Sequence, residues 1–173
     1  MTTHRWAPAA ALAAAALSLS ATAATADVAP PPPSADFAGH LVAGPGATTV
    51  KIRYSCTTSA DAPLSHLYVG VKQGPHVNTE EGSTSASADT FYSTNWKSDA
   101  GPNALRCDGA RHTQTLVLKP QPGFVAKVRR LHAGPALVQI CVFDNVTAFG
   151  EEGPVDGGFA FSYTMERVRS GHR

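Results

Sequence analysis

The chain has 173 residues, of which 14 are basic and 13 acidic, so its formal net charge is +1 at pH 7. A chain so close to neutrality has no electrostatic field that attracts nucleic acid, and we exclude nucleic acid as a partner. After the first residues no apolar run approaches the ~20 residues that a membrane helix needs, so we expect no membrane anchor.

The N-terminal residues 1–26 have the pattern of a secretory signal peptide. His4 and Arg5 precede a run rich in alanine and leucine, and Ala24 and Ala26 form a small-x-small cleavage site. We therefore predict a secreted, extracellular protein that is cleaved after Ala26. Cleavage removes one basic residue and no acidic residue, which leaves equal numbers of the two.

The predicted mature chain begins with a proline-rich linker and continues as one domain. Residues 27–34 contain four consecutive prolines, which form a stiff spacer and cannot pair as the interior of a strand. Residues 35–173 have the usual length of a single domain with one continuous core.

Alternation of apolar and polar residues recurs along this domain and predicts strands. Residues 37–43 precede a Gly-Pro-Gly turn that folds them back onto residues 48–56, where Val50, Ile52 and Tyr54 alternate with polar residues. Further strands are predicted at residues 66–72, 112–119, 136–144 and 158–168. Short strands with Gly, Pro and Ser turns and no alternating helices predict an all-β fold, an antiparallel β-sandwich of about seven strands.

Two segments fit this pattern less well. Residues 124–132 are compatible with a strand or a short helix, because their apolar residues share a helical face with one interruption. Residues 74–102 form a long polar loop, within which residues 88–96 are compatible with an edge strand or with one or two helical turns. A long loop inside a compact domain is usually functional or disordered.

The three cysteines of an exported chain allow one intramolecular disulfide and leave one thiol. With strands in immunoglobulin-like order, Cys56 at the end of one strand meets Cys107, which precedes the strand at residues 112–119. The competing pair, Cys56 with Cys141, is the inter-sheet bridge of antibody domains, but the Trp and Tyr that accompany that bridge are missing here. We favour Cys56–Cys107 and predict that Cys141 is a buried free thiol.

Several short motifs occur in a fixed order along the chain. They are Tyr54-Ser55-Cys56, Val69-Gly70-Val71-Lys72-Gln73, Cys107-Asp108-Gly109 with His112 following, and Cys141-Val142-Phe143-Asp144. In this order they resemble small secreted proteins of high-GC bacteria whose function is uncharacterised. The resemblance covers most of the chain after residue 26. It implies an exported immunoglobulin-like β-sandwich, and it implies no activity and no catalytic residues.

No residue pattern predicts a catalytic, metal or cofactor site. His76 lies near Glu80 and Glu81, but in a loop where spacing fixes no ligand geometry. The acidic loop before the last strand lacks the D-x-D-x-D-G spacing of a calcium loop, and no G-x-S-x-G elbow is present. We expect a protein that is not an enzyme and that holds no metal and no cofactor.

Two loops supply the candidate binding surface, one through aromatic and one through acidic side chains. The residues are Phe91, Tyr92, Trp96, Asp144, Glu151, Glu152 and Asp156. For the aromatic residues we favour packing onto the sandwich over stacking against a sugar. We expect an exported, monomeric, non-catalytic module whose loops bind an extracellular protein or a cell-wall polymer. The alternatives are a small-ligand carrier or secreted hydrolase with a cleft between sandwich and long loop, and a secreted protease inhibitor.

Overall fold

The fold was analysed in a computed structural model, which describes residues 31–43, 46–57, 62, 64–79, 88–94, 101–121, 130–144, 146–150, 153–155 and 158–171. The predicted signal peptide lies outside these residues, as do Trp96, Glu151, Glu152, Asp156 and most of the ambiguous segment 124–132.

The described residues form ten strands and no α-helix, which confirms the prediction of an all-β fold. The strands are β1 Ser34–Phe37, β2 Leu41–Val42, β3 Thr48–Thr57, β4 His66–Gln73, β5 Thr90–Ser93, β6 Asp108–Pro120, β7 Gly134–Asp144, β8 Ala148–Gly150, β9 Gly153–Val155 and β10 Gly158–Arg169. A 3-10 turn, Gly101–Asn103, precedes β6.

Within the described residues, eight of these strands form one curled sheet in the order β1-β3-β6-β5-β4-β7-β10-β2, and β8 and β9 form a separate hairpin. The sheet is mixed, because β2 runs parallel to β10, whereas we predicted antiparallel pairing throughout. Strands β6 and β5 are joined by two residue pairs at the end of β6. This short junction divides the sheet into a three-strand half (β1, β3, β6) and a five-strand half (β5, β4, β7, β10, β2).

The strand predicted at residues 37–43 is wrong in its bounds. β1 ends at Phe37 and pairs antiparallel with β3, whereas β2 begins at Leu41 and pairs with β10. Between them Ala38 N donates to Lys51 O (2.8 Å), and a Cβ at Gly39 would lie 3.3 Å from the Lys51 Cβ. The chain thus leaves the three-strand half at Gly39, which lies against β3. Residues 37–43 therefore do not form one straight strand.

The segment 88–96 contains a strand, β5, but this strand lies between β4 and β6 and not at an edge of the sheet. It pairs with β4 along Thr90–Ser93 and with β6 at its end. β5 therefore connects the two halves of the curled sheet. The predicted long loop is therefore divided by a structural element.

The hydrophobic core lies between the two halves of the sheet. Its main residues are Leu41, Val50, Ile52, Tyr54, Leu67, Val69, Val71, Tyr92, Leu116, Leu118, Ala136, Val138, Ile140, Val142 and Val168. Every second residue of β3 is buried, as expected for a strand with one face in water, but all eight residues of β4 are buried. The outer side of the five-strand half is therefore partly covered as well.

The predicted disulfide is confirmed. Cys56 and Cys107 are bonded across 51 positions of sequence, and Cys141 is a buried free cysteine on β7. Beside the disulfide the β3–β6 register shifts between Ser55 and Thr57, and Gly109 adopts a φ of 78°, which strains residues other than glycine. The bridge thus fixes an irregular end of the three-strand half.

Candidate functional site

The predicted binding surface is not a continuous exposed surface at the positions that the structure describes. Phe91 and Tyr92 lie on β5 with 3% and 1% of their surface exposed, and Asp144 at the end of β7 has 6% exposed. Tyr92 belongs to the core between the halves, whereas Phe91 packs with Tyr68 and Cys141 on the other side of the sheet. Both aromatic residues of the segment therefore contribute to packing.

The outer side of the five-strand half carries a set of aromatic and apolar side chains that sequence reasoning did not single out. Because side chains alternate along a strand, residues paired across β4, β7 and β10 share this side. Tyr68 pairs with Cys141, and Cys141 pairs with Phe161. We call the set the aromatic face. It consists of Tyr68, Lys72, Phe91, Gln139, Cys141, Phe143, Phe161, Tyr163 and Met165.

A pocket opens on the aromatic face. It has a volume of about 190 Å³ and is lined by Tyr68, Gln139, Cys141, Phe143 and Phe161. The Phe161 ring is 49% exposed and stacks on the Tyr163 ring, with 6.2 Å between the ring centroids and 11° between the planes. A half-exposed ring therefore borders a depression whose base contains a thiol and an amide.

A glycine lies behind this pocket. A Cβ at Gly70 would lie 3.2 Å from the Phe91 ring and 3.3 Å from the Tyr68 hydroxyl, which is tighter than ordinary van der Waals contact. Gly70 therefore makes room for two aromatic side chains on one strand pair.

A chain of polar contacts fixes the amide of the pocket. Lys72 Nζ donates to Gln139 Oε1 (3.0 Å), and Gln139 Nε2 donates to Cys141 Sγ (3.5 Å). Lys72 has 3% of its surface exposed, and its Nζ lies 5.1 Å from the Phe91 ring centroid, a cation–π distance. Burial lowers the pKa of Lys72. The lysine determines which end of the Gln139 amide faces the sulfur.

The titratable groups of the pocket are not suited to acid–base or nucleophilic chemistry near neutral pH. Burial raises the pKa of Cys141 to about 11, so its thiol is protonated and a poor nucleophile. Burial likewise raises the pKa of Tyr68 to about 12. Among the described residues no group of three His, Cys, Asp or Glu side chains is placed to hold a metal ion. The lining of the pocket is therefore uncharged near neutral pH.

One end of the aromatic face contains a buried histidine. His66 has 1% of its surface exposed and stacks on Phe143 at 5.0 Å and against Phe149 at 5.4 Å. Nδ1 lies 2.8 Å from Leu64 O and must therefore carry the proton of a neutral ring, while Nε2 has no hydrogen-bond partner within the described structure. Burial lowers the pKa of His66, so the imidazole is neutral.

A charged cluster lies near the disulfide on the three-strand half. The Asp108 carboxylate contacts His112 Nε2 at 2.6 Å and Arg106 Nε at 3.0 Å, and it accepts a hydrogen bond from Ala110 N. The hydrogen bond to His112 is the main cause that lowers the pKa of Asp108. These contacts tie the chain at the start of β6, and we assign the cluster a structural role.

No protein-family model, no curated protein and no solved structure matches the chain. No helix among the described residues is both long and apolar enough to span a membrane.

Proposed function

We propose that the protein is an exported, non-catalytic module that binds an extracellular protein through the aromatic face. The observation that carries this proposal is the pocket between Tyr68, Phe143 and Phe161, at whose rim Phe161 is half-exposed. Exposed apolar side chains grouped around a pocket are typical of interaction surfaces. The Cys56–Cys107 disulfide supports export, because such bonds persist in oxidising compartments.

The pocket has the size of one ring. A cavity of about 150 Å³ holds benzene, and this pocket has about 190 Å³. Three aromatic side chains line it, and its polar groups are the Gln139 amide, the protonated Cys141 thiol and the Tyr68 hydroxyl. This lining favours an aromatic side chain of a partner over a sugar, which needs several hydrogen-bonding groups. Aromatic anchors seated in such pockets commonly dominate the binding energy of an interface.

The proposal is tested with small probes that copy the two ring types. Titration of the isotopically labelled protein with p-cresol, followed by NMR, should give saturable shifts of the Gln139 side-chain amide and of the Phe143 and Phe161 ring signals. Methyl β-glucoside should give none at the same concentration. Larger or equal shifts with the sugar, or no saturable shift with p-cresol, would contradict an aromatic anchor.

A matched pair of variants separates recognition from general effects. Phe161→Ala removes a ring at the rim of the pocket, and Val117→Ala removes an apolar side chain of similar exposure, 53%, on the three-strand half. We expect Phe161→Ala to weaken p-cresol binding at least about fivefold and Val117→Ala to leave it unchanged. Equal effects of the two variants would exclude the aromatic face as the site.

A further inference from the structure

The last strand has an open edge. β10 pairs with β7 along its whole length, but on its other side β2 covers Val168 and Arg169 alone. Among the described residues, 162–167 have no strand partner on that side. An exposed strand edge is a template for another strand unless prolines, charged side chains or bulges block it. Residues 162–167 contain no proline and no bulge, and their two charged residues, Glu166 and Arg167, have opposite signs.

The backbone groups that face this edge can be identified. Ala43 N donates to Arg169 O (2.9 Å), so the carbonyl of Arg169 points to the open side. Backbone direction alternates along a strand, and Tyr163, Met165 and Arg167 therefore present their N–H and C=O groups there as well. The even-numbered residues direct these groups towards β7.

A side chain near the edge lacks a partner. Thr164 Oγ1 is buried and has no hydrogen-bond partner within the described structure. On the opposite side of the same strand Met165 is 45% exposed. The edge thus combines unused backbone groups with exposed apolar surface.

We propose that a second copy of this chain pairs with β10 antiparallel, with a two-fold axis at Thr164. Because the Thr164 backbone points to β7, the two Thr164 residues form a non-hydrogen-bonded pair with Cα atoms about 4.5 Å apart. This pairing places the two Thr164 side chains side by side, a recurring cross-strand contact. Tyr163 lies opposite Met165 of the second copy, and these two exchange backbone hydrogen bonds.

The charges favour this register over its neighbour. With the axis at Thr164, Glu166 lies opposite Ser162 of the second copy, so the carboxylate can accept a hydrogen bond from the hydroxyl. With the axis at Glu166, two carboxylates oppose each other, and the pairing extends into Val168, where β2 already pairs. The dimer joins the two aromatic faces side by side, because both lie on the same side of the extended sheet.

Sedimentation velocity of the wild-type protein tests the association. From about 1 μM to about 1 mM, a range that covers weak and moderate affinities, the sedimentation coefficient should rise from that of a monomer to that of a dimer. Ser162→Glu places two carboxylates opposite each other twice per dimer and should weaken association at least about fivefold. A single monomeric species at all concentrations would overturn the proposal, as would association unaffected by Ser162→Glu.

Engineered thiols test the register. In a Cys141→Ala background, where no other free cysteine remains, Thr164→Cys should form an intermolecular disulfide on mild oxidation, because a Cα separation of about 4.5 Å permits one. Ser162→Cys is the matched control and should stay monomeric on a non-reducing gel, since its own copy lies several residues away. Cross-linking through position 162 but not 164 would overturn the register. Failure of p-cresol binding leaves this result unchanged, since the edge and the pocket are tested separately.

Discussion

The two outer sides of the curled sheet differ sharply in chemistry. On the three-strand half, β3 and β6 direct mainly polar and charged side chains to solvent, and Val117 is an apolar exception. The polar and charged ones are Thr49, Lys51, Arg53, Arg111, Thr113, Thr115 and Lys119. On the five-strand half the corresponding positions form the aromatic face, where Tyr68, Phe91 and Cys141 are buried. The inward side chains of both halves, in contrast, are alike and belong to one core.

This difference separates the residues that build the fold from those that are available for function. The inward side chains fill the core and give no information about a partner; examples are Val50, Ile52, Val138 and Ile140. The polar outer side needs no explanation beyond solubility. The aromatic face does need a further explanation, because the exposure of Phe161 and Met165 to water contributes neither to the core nor to solubility.

The largest effect is expected on the polar half, from removal of the disulfide. The double variant Cys56→Ala, Cys107→Ala frees a loop of 51 positions, and in the chain-entropy model this costs about 4 kcal/mol of unfolding free energy. Urea unfolding followed by circular dichroism measures it. Reduction of the wild-type protein should give a similar loss, and a loss below about 1 kcal/mol in both experiments would show that the irregular end of β3 is held by its packing alone.

The second effect belongs to the aromatic face and depends on pH. Since burial lowers the pKa of His66 below 6.5, the unfolded chain binds a proton that the folded protein excludes. Stability is therefore complete above pH 6.5 and decreases as the pH falls towards the lowered pKa, by about 1.4 kcal/mol per pH unit at most. Urea unfolding at pH 7.5 and pH 5 should show this loss.

The control for this effect is His66→Phe, which keeps a ring between Phe143 and Phe149 but cannot titrate. The difference in unfolding free energy between pH 7.5 and pH 5 should shrink in this variant. Asp108, whose pKa is lowered, loses its contribution below its ordinary value of 3.8, outside this range. An equal pH dependence in wild type and variant would place its origin elsewhere.

Much of the fold follows from the sequence because the alternation of apolar and polar residues along a strand shows which face is buried. β3 shows this clearly: its period-two pattern predicts the strand, its inward face and the position of Cys56. The bounds of β1 and β2 were not predictable in the same way. The crossing between halves near Gly39 depends on tertiary contacts with Lys51, and an alternating pattern persists through it.

The aromatic face was harder to predict. Phe161, Tyr163 and Met165 alternate on one side of the last strand, but alternation cannot tell whether that side faces a core or solvent. A second signal was available in residues 136–144, which are apolar on both faces and so require cover on both sides of β7. Aromatic residues in a predicted loop are a poor guide to a binding surface, and Tyr92 shows why, since it lies on a strand and is buried in the core.

A smaller effect is expected for the ion pair between Asp36 and Arg111 on the polar half. The two side chains are 58% and 59% exposed and 2.6 Å apart, and exposed pairs contribute less than about 1 kcal/mol. Asp36→Asn should reduce the unfolding free energy by less than this, and 0.5 M salt should remove most of the difference by screening. A larger, salt-independent loss would indicate that this edge of the sheet is buried in an assembly.

The smallest effect is expected at Val117, and it tests whether the outer side of the three-strand half is exposed to solvent. Val117 is 53% exposed in the middle of β6, and Thr has nearly the same shape and an equal preference for strands. Val117→Thr should change the unfolding free energy by less than about 0.5 kcal/mol and leave p-cresol binding and dimerisation unchanged. A loss well above this value would mean that Val117 is desolvated in solution. The polar half would then also take part in an interface, and the contrast between the two outer sides would no longer locate the function.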